Sequence, residues 1–207
     1  MRLRTITRTV AALAACVPLL AQAGNVLMTD VSSVTVSGVP GVLRAGSPWA
    51  PAPAAENVST LFDGNFLPTS TTWTHGTFWW DEDIRQGNPV TIEVLLNGPH
   101  TLNRFVVQGD NNEDYLVDWW DGSAWQTAYN AASTCCFGMV TRDSGLQSGI
   151  TTDRLRIRAQ GGDLYYSLSE VQAYDVNRTP EPGSLALAGL AAAGLWGASR
   201  RRRAAAR

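Results

Sequence analysis

The sequence contains no lysine, and all 16 of its basic side chains are arginines. It has two histidines, His75 and His100, and three cysteines, Cys16, Cys135 and Cys136. So small a stock leaves little from which to build acid–base, thiol or zinc chemistry, and there is no nucleophile motif, zinc helix or phosphate loop. His100 falls in an expected turn and His75 among threonines, where exposure is the default. Paired carboxylates are numerous, and a glycosidase needs only two, but nothing points to a particular pair. A long 3.6-residue periodicity is also missing, which argues against a helical domain. These gaps favour a binding or structural protein over an enzyme.

Charge is unevenly spread. The formal net charge of −2 conceals Arg2, Arg4 and Arg8 at the start and five arginines from Arg200 onward. Residues 24–178 therefore hold eight arginines against 17 acidic side chains, about −9. An acidic middle without a basic stripe repels phosphate backbones, so nucleic acid is not an expected partner. The preference for arginine reads as genome composition, since alanine is also abundant.

The first 23 residues follow the order of a signal peptide. A basic stretch precedes the apolar run Val10–Leu20, and Ala21-Gln22-Ala23 supplies the small residues of a cleavage site, with Gly24 as the new N-terminus. Leu13-Ala14-Ala15-Cys16 offers a lipoprotein reading, but only Val10–Ala15 would then precede the cysteine, too short for an apolar h-region.

From Thr179 the character changes again. Pro180-Glu181-Pro182 cannot continue a strand or a helix. Leu185–Ala198 is apolar but would span only about 21 Å as a helix, short of a hydrocarbon core of roughly 30 Å. Arg200, Arg201, Arg202 and Arg203 follow and would stay cytoplasmic. This order of motif, short apolar segment and arginine block resembles the PEP-CTERM sorting signal of Gram-negative bacteria. The resemblance implies the general secretion machinery and an exosortase as partners. It also implies transient inner-membrane association and release to the cell surface or extracellular matrix, in bacteria that make exopolysaccharide. A plain membrane anchor is the alternative.

Between these ends, short runs rich in β-branched and aromatic residues alternate with Gly, Asn, Asp and Pro. Val31–Val36 is an expected first strand, and the proline-rich Arg44–Ala55 an expected surface connection. Val90–Leu96 and Leu102–Gln108 are expected to pair through a turn at Asn97-Gly98-Pro99-His100, and Tyr115–Trp120 to turn at Asp121-Gly122 into Trp125–Ala128. Arg154–Ala159 alternates wet and apolar positions, Gly161-Gly162 breaks it, and Leu168–Tyr174 closes the domain. The fold class is all-β, a two-sheet sandwich or barrel over residues 24–178.

The order of Leu61-Phe62-Asp63-Gly64-Asn65, Thr71-Thr72-Trp73, Asp118-Trp119-Trp120-Asp121-Gly122 and Leu168-Ser169-Glu170-Val171 resembles the discoidin-like, galactose-binding-like domains. Phe78-Trp79-Trp80-Asp81 and Asp110–Tyr115 look like a variant of this domain common among PEP-CTERM proteins. The resemblance implies a jelly-roll β-sandwich whose loops at one end bind glycans, lipids or proteins. It also implies a structural calcium site at Asp63, Asn65, Thr71 and Glu170. The insertion Phe66–Ser70 leaves Ser70 or Thr72 as alternatives to Thr71, and Asp63-Gly64-Asn65 reads equally as a simple turn. Asp110–Asp114 fails the EF-hand pattern, because Tyr115 stands where glycine is required, and reads as a solvated loop.

Eight tryptophans invite a sugar-stacking reading. Trp79 and Trp80 are neighbours, as are Trp119 and Trp120, so in a strand each pair sends one ring to either face. These four are the candidate ligand contacts, with core packing as the alternative. Cys135 and Cys136 can form a vicinal bridge, stay as thiols or link two chains. The expectation for the whole is an exported, non-enzymatic protein whose sandwich binds carbohydrate, with a structural matrix role next in line.

Overall fold

A computed structural model of the chain describes residues 24–82 and 89–177. The expected signal peptide at 1–23 (with Ala23 and Cys16) and the tail at 179–207 (with Pro180–Pro182, the apolar segment and the arginine block) lie outside the described residues. Among the described residues no helix is long and apolar enough to cross a membrane.

The domain is built from antiparallel strands. The chain enters through β1 (Gly24–Asn25) and one helical turn, α1 (Val26–Thr29), capped by the Asn25 side chain, before β2 (Val31–Ser37). A 3-10 turn at Val58–Phe62 then leads to β3 (Phe78–Asp81). β4 (Thr91–Gly109), β5 (Asp114–Trp120), β6 (Trp125–Ala131), β7 (Val140–Asp143), β8 (Ile150–Gln160) and β9 (Tyr165–Asp175) complete it.

β4 organises the rest. Its first half pairs with β2 and β8, and β8 passes the ladder to β5 and β6. Its second half pairs instead with β7 and β9, and β9 carries β3 and β1 on its other edge. One strand thus belongs to two layers. The expected hairpin at Asn97–His100 is corrected here: the chain does not reverse but bends and continues. The ladder to β8 slips between Leu95 and His100. Pro99 has no N–H to give to a ladder and Gly98 no side chain to obstruct a bend, so the dipeptide marks a bulge between layers as well as it marks a turn.

Alternation fills the space between the layers. Ile92, Val94 and Leu96 of β4, Leu155 and Ile157 of β8, and Tyr115 and Val117 of β5 meet Leu168, Val171 and Ala173 of β9 in one buried cluster. On the outward face of β5, Asp118 accepts from Arg156 (2.8 Å), Arg158 (2.8 Å) and Thr127 (2.9 Å). The arginine face of β8 is therefore engaged rather than merely wet. A second cluster, Trp73, Trp79 and Tyr165, is covered by Leu43 and by Ala52 and Ala55 of the proline-rich connection.

The register sorts the loops into two poles. Gly109 pairs with Leu168, Asp114 with Gln160, Tyr115 with Ala131, and Asp81 with Tyr165. Residues 110–113, 132–139 and 161–164 therefore crowd one pole. At the opposite pole lie the Asp121–Ala124 turn, where Asp121 accepts the Ser123 and Ala124 N–H groups, and the pairing of Gly24 with Asp175. His100 is fixed there between Asp30 (2.7 Å) and Asp175 (2.8 Å), a structural tie.

Candidate functional site

The crowded pole contains a cleft of about 290 Å³. One wall is aromatic: Trp49 meets Trp73 edge-on at 5.8 Å and Tyr165 at 6.4 Å. Trp49 sits in the proline-rich connection, where no strand partner covers it, and stays 39% exposed. Arg44 anchors this connection. Its guanidinium and main-chain N–H both bind the buried Asp81 carboxylate at the end of β3, and the guanidinium lies 4.2 Å over the Tyr165 ring. The other walls come from Asp110, Asn111 and Asn112, from Asp163, and from Cys136 and the 55% exposed Phe137.

Asn111 holds the 132–139 loop in place. It donates from Nδ2 to the Cys136 carbonyl (3.0 Å), accepts at Oδ1 from the Gly138 N–H (3.1 Å), and its own carbonyl accepts from Thr134 N–H (2.7 Å). Gly138 adopts φ +69°, and a Cβ there would overlap the Thr71 carbonyl oxygen, so only glycine fits this close crossing.

Beneath the lining residue Asp110 the structure is acidic and buried. Glu113 is 0% exposed and neither of its carboxyl oxygens meets a donor group. Burial, together with the charges of Asp110 and Asp163, pushes its pKa up to about 9, so it carries its proton at neutral pH. Asp110 is raised to about 6, first by burial and then by Asp163, against the pull of the Asn111 N–H and Arg142. Arg142 is itself buried, donates to the Asp110 and Ala131 carbonyls, and lies 5.4 Å over the Tyr115 ring. Chemically the cleft offers one exposed indole, backed by the buried Trp73 and Tyr165 rings, together with oxygen and amide groups. Such a pairing suits a ligand with C–H faces and hydroxyl edges.

The four tryptophans chosen from sequence lie elsewhere. Trp79 and Trp80 do point to opposite faces, but both are 1% exposed, which corrects their assignment as ligand contacts. Trp80 is in the main core, and Trp79 is roofed by the proline-rich connection and donates to the Pro53 carbonyl (3.1 Å). Trp119 packs against the core, while Trp120 stands edge-on to Trp125 at 5.5 Å, on strands that leave the cleft toward the other pole. Sequence reasoning missed Trp49, Trp73 and Tyr165. For Trp49 the available signal is that an aromatic among prolines, outside any strand, has no sheet face to bury it; Trp73 and Tyr165 carry no such mark.

Of the calcium candidates, Glu170 is buried beside the Asp63 loop. Its Oε2 accepts the Gly64 N–H (3.3 Å) and its Oε1 accepts from Gln172 (3.0 Å), while Asp63 accepts the Asn65 N–H (2.8 Å). Burial and then the Asp63 charge, against these hydrogen bonds, raise Glu170 to about 7. Thr71 is engaged elsewhere, donating to the Pro68 carbonyl and accepting from Met139 N–H. Among the described residues no three His, Cys, Asp or Glu side chains are arranged to hold a metal ion.

Residues 178–203 match the model of the PEP-CTERM protein-sorting motif, which implies exosortase processing and export to the cell envelope. No curated protein matches the chain. Among solved structures, the domain is similar to the family 32 carbohydrate-binding module of Clostridium perfringens NanJ in complex with galactose. That match has 12% identity, 73% of this chain, 98% of the other and a TM-score of 0.47. The family 32 module of Streptococcus pneumoniae EndoD matches at 15% identity over 73% and 99% of the two chains, with a TM-score of 0.46. A chitosan-binding module of a Paenibacillus chitosanase/glucanase matches at 21% over 73% and 98%, with a TM-score of 0.45. The chain carries a PEP-CTERM protein-sorting motif behind an all-β domain of two antiparallel layers.

Proposed function

We propose that this exported protein binds carbohydrate in the cleft of the crowded pole, and that its ligand is an exopolysaccharide of the cell surface or matrix. The observation that carries the reading is that the exposed Trp49 ring, backed by the buried Trp73 and Tyr165, lines one cleft with Asp110, Asn112 and Asp163. Rings take the C–H face of a sugar, while carboxylates and amides accept and donate to its hydroxyls. A cleft open on one side also lets a chain of sugars continue beyond the residue it grips. Glu113, sealed beneath the floor, is out of reach of a ligand and is not a catalytic acid. The domain acts by holding rather than by cutting.

A calcium ion fits this reading as a structural element. Asp63 and Glu170 would hold it, with the Asn65 carbonyl, and backbone or water oxygens would complete the six to eight ligands calcium takes. Two acidic groups side by side, one of them buried, are what a divalent cation would relieve. Bound there, it would join the loop after the 3-10 turn to β9.

Binding is tested by calorimetry with the exported protein, its host's exopolysaccharide and a glycan panel, calcium present. Trp49→Ala is expected to weaken binding roughly tenfold, the contribution of one aromatic face. A modest fall in melting temperature should accompany it, from the lost Trp73 and Tyr165 contacts, with the protein still folded at the assay temperature. Asp163→Asn is expected to weaken it as well. An unmodified protein that binds no glycan sinks the carbohydrate reading in favour of a structural matrix role, and release of reducing sugar would make it an enzyme.

A further inference from the structure

We infer that Cys135 and Cys136 form a vicinal disulfide once the protein is exported, and that this bond holds the rim of the cleft. Neighbouring residues in extended backbone send their side chains to opposite sides. Here the chain does the reverse. Cys136 takes φ +99°, a conformation that disfavours any residue with a Cβ, and the two sulfurs face each other at 2.6 Å on the surface. The kink lies in the loop between β6 and β7, on the stretch that Asn111 pins through the Cys136 carbonyl and the Gly138 N–H. In this kinked loop both sulfurs lie on one side of the chain, within reach of each other. Among the described residues Cys135 and Cys136 are the only cysteines, so no other thiol of the domain competes for either.

The bond forms by two exchanges with a disulfide-bearing oxidant protein of the export compartment. The thiolate of one cysteine attacks a sulfur of that disulfide and releases one thiolate of the oxidant. The second cysteine then attacks the mixed disulfide and releases the other. The two thiol protons go to the departing thiolates, and the two electrons leave with the oxidant as a dithiol. The product closes a small ring through the Cys135–Cys136 peptide bond. That ring stands beside Phe137 on the cleft wall, and its second residue accepts the Asn111 side-chain hydrogen bond. With the ring closed, Thr134 and Gly138 keep their N–H groups on Asn111.

The exported full chain, purified without reductant, decides the matter. Its intact mass is expected to rise by two hydrogen atoms on reduction, with no alkylation of either cysteine beforehand and both afterwards, and it should run as a monomer without reductant. A Cys135→Ser, Cys136→Ser double variant should lose the mass difference. Reduction should speed amide exchange at Thr134 and Gly138 by about tenfold while β5 and β8 stay protected. Two freely alkylating thiols in the exported protein, or a disulfide-linked dimer, overturn the bond. Unchanged exchange overturns its hold on the rim. None of these readouts requires a glycan, so they stand apart from the carbohydrate proposal.

Discussion

Replacing Glu113 by glutamine should stabilise the protein, and the gain should depend on pH in a defined way. The folded chain holds this carboxyl protonated up to about pH 9, whereas its ordinary value is near 4.5. A group whose folded pKa is raised contributes fully below its unfolded pKa, and that contribution is lost as pH rises toward the folded value. At pH 7 the proton is held about 2.5 pH units above the ordinary value, at about 1.4 kcal/mol per unit, which makes a penalty of about 3 kcal/mol. Glutamine is neutral at every pH, and its amide can donate to Asp163 as the protonated carboxyl does. Urea melts of both proteins from pH 4 to pH 8 should coincide near pH 4. At pH 7 the variant should lead by about 3 kcal/mol, roughly 6–12 °C in a thermal scan. Asp110 is raised in the same direction but is present in both proteins, so it falls out of the difference. If Glu113→Gln melts at or below the parent at pH 7, with no gap opening as pH rises, the account of a buried carboxyl without a donor is wrong.

Other consequences follow from the same geometry. Asp118→Ala leaves Arg156 and Arg158 facing each other without their shared carboxylate. Both arginines keep some solvent contact, so the loss in urea should be about 2–3 kcal/mol, below the figure for a fully buried pair. Gly138→Ala forces a Cβ onto the Thr71 carbonyl at a positive φ, and should lower the melting temperature by the equivalent of about 2 kcal/mol. An unchanged melt would mean that the crossing is loose. Calcium should raise the melting temperature and a chelator should reverse it, with no response in Glu170→Gln; identical curves with and without the ion would remove the site.

Much of the fold was legible because periodicity is local. Val31–Val36, Tyr115–Trp120 and Arg154–Ala159 carry their alternation in their own residues, and Asp121-Gly122 names its turn through side-chain bonds within three residues. Gly98-Pro99 suggests a hairpin because a bulge and a hairpin want the same residues, and only the distant β9 decides that the chain runs on. The tryptophans failed for a related reason. Adjacent rings in a strand do diverge, yet whether the outer one is exposed depends on Leu43, Ala52 and Ala55, which arrive from outside the strand to cover Trp79. Glu113 resembled any member of a solvated acidic loop; its burial comes from Gly162, whose missing Cβ leaves room for the carboxyl, some fifty positions away in the chain.

The pairing of Gly24 with Asp175 puts both doors of the domain on one doorstep. A single strand, β9, runs from that threshold to Tyr165 at the cleft, a distance of about 30 Å for its length. Whatever holds the domain by either door therefore leaves the mouth facing away from the holder. A partner gripping the strand pair Gly24 and Asp175 would leave the cleft clear on the far side of the domain.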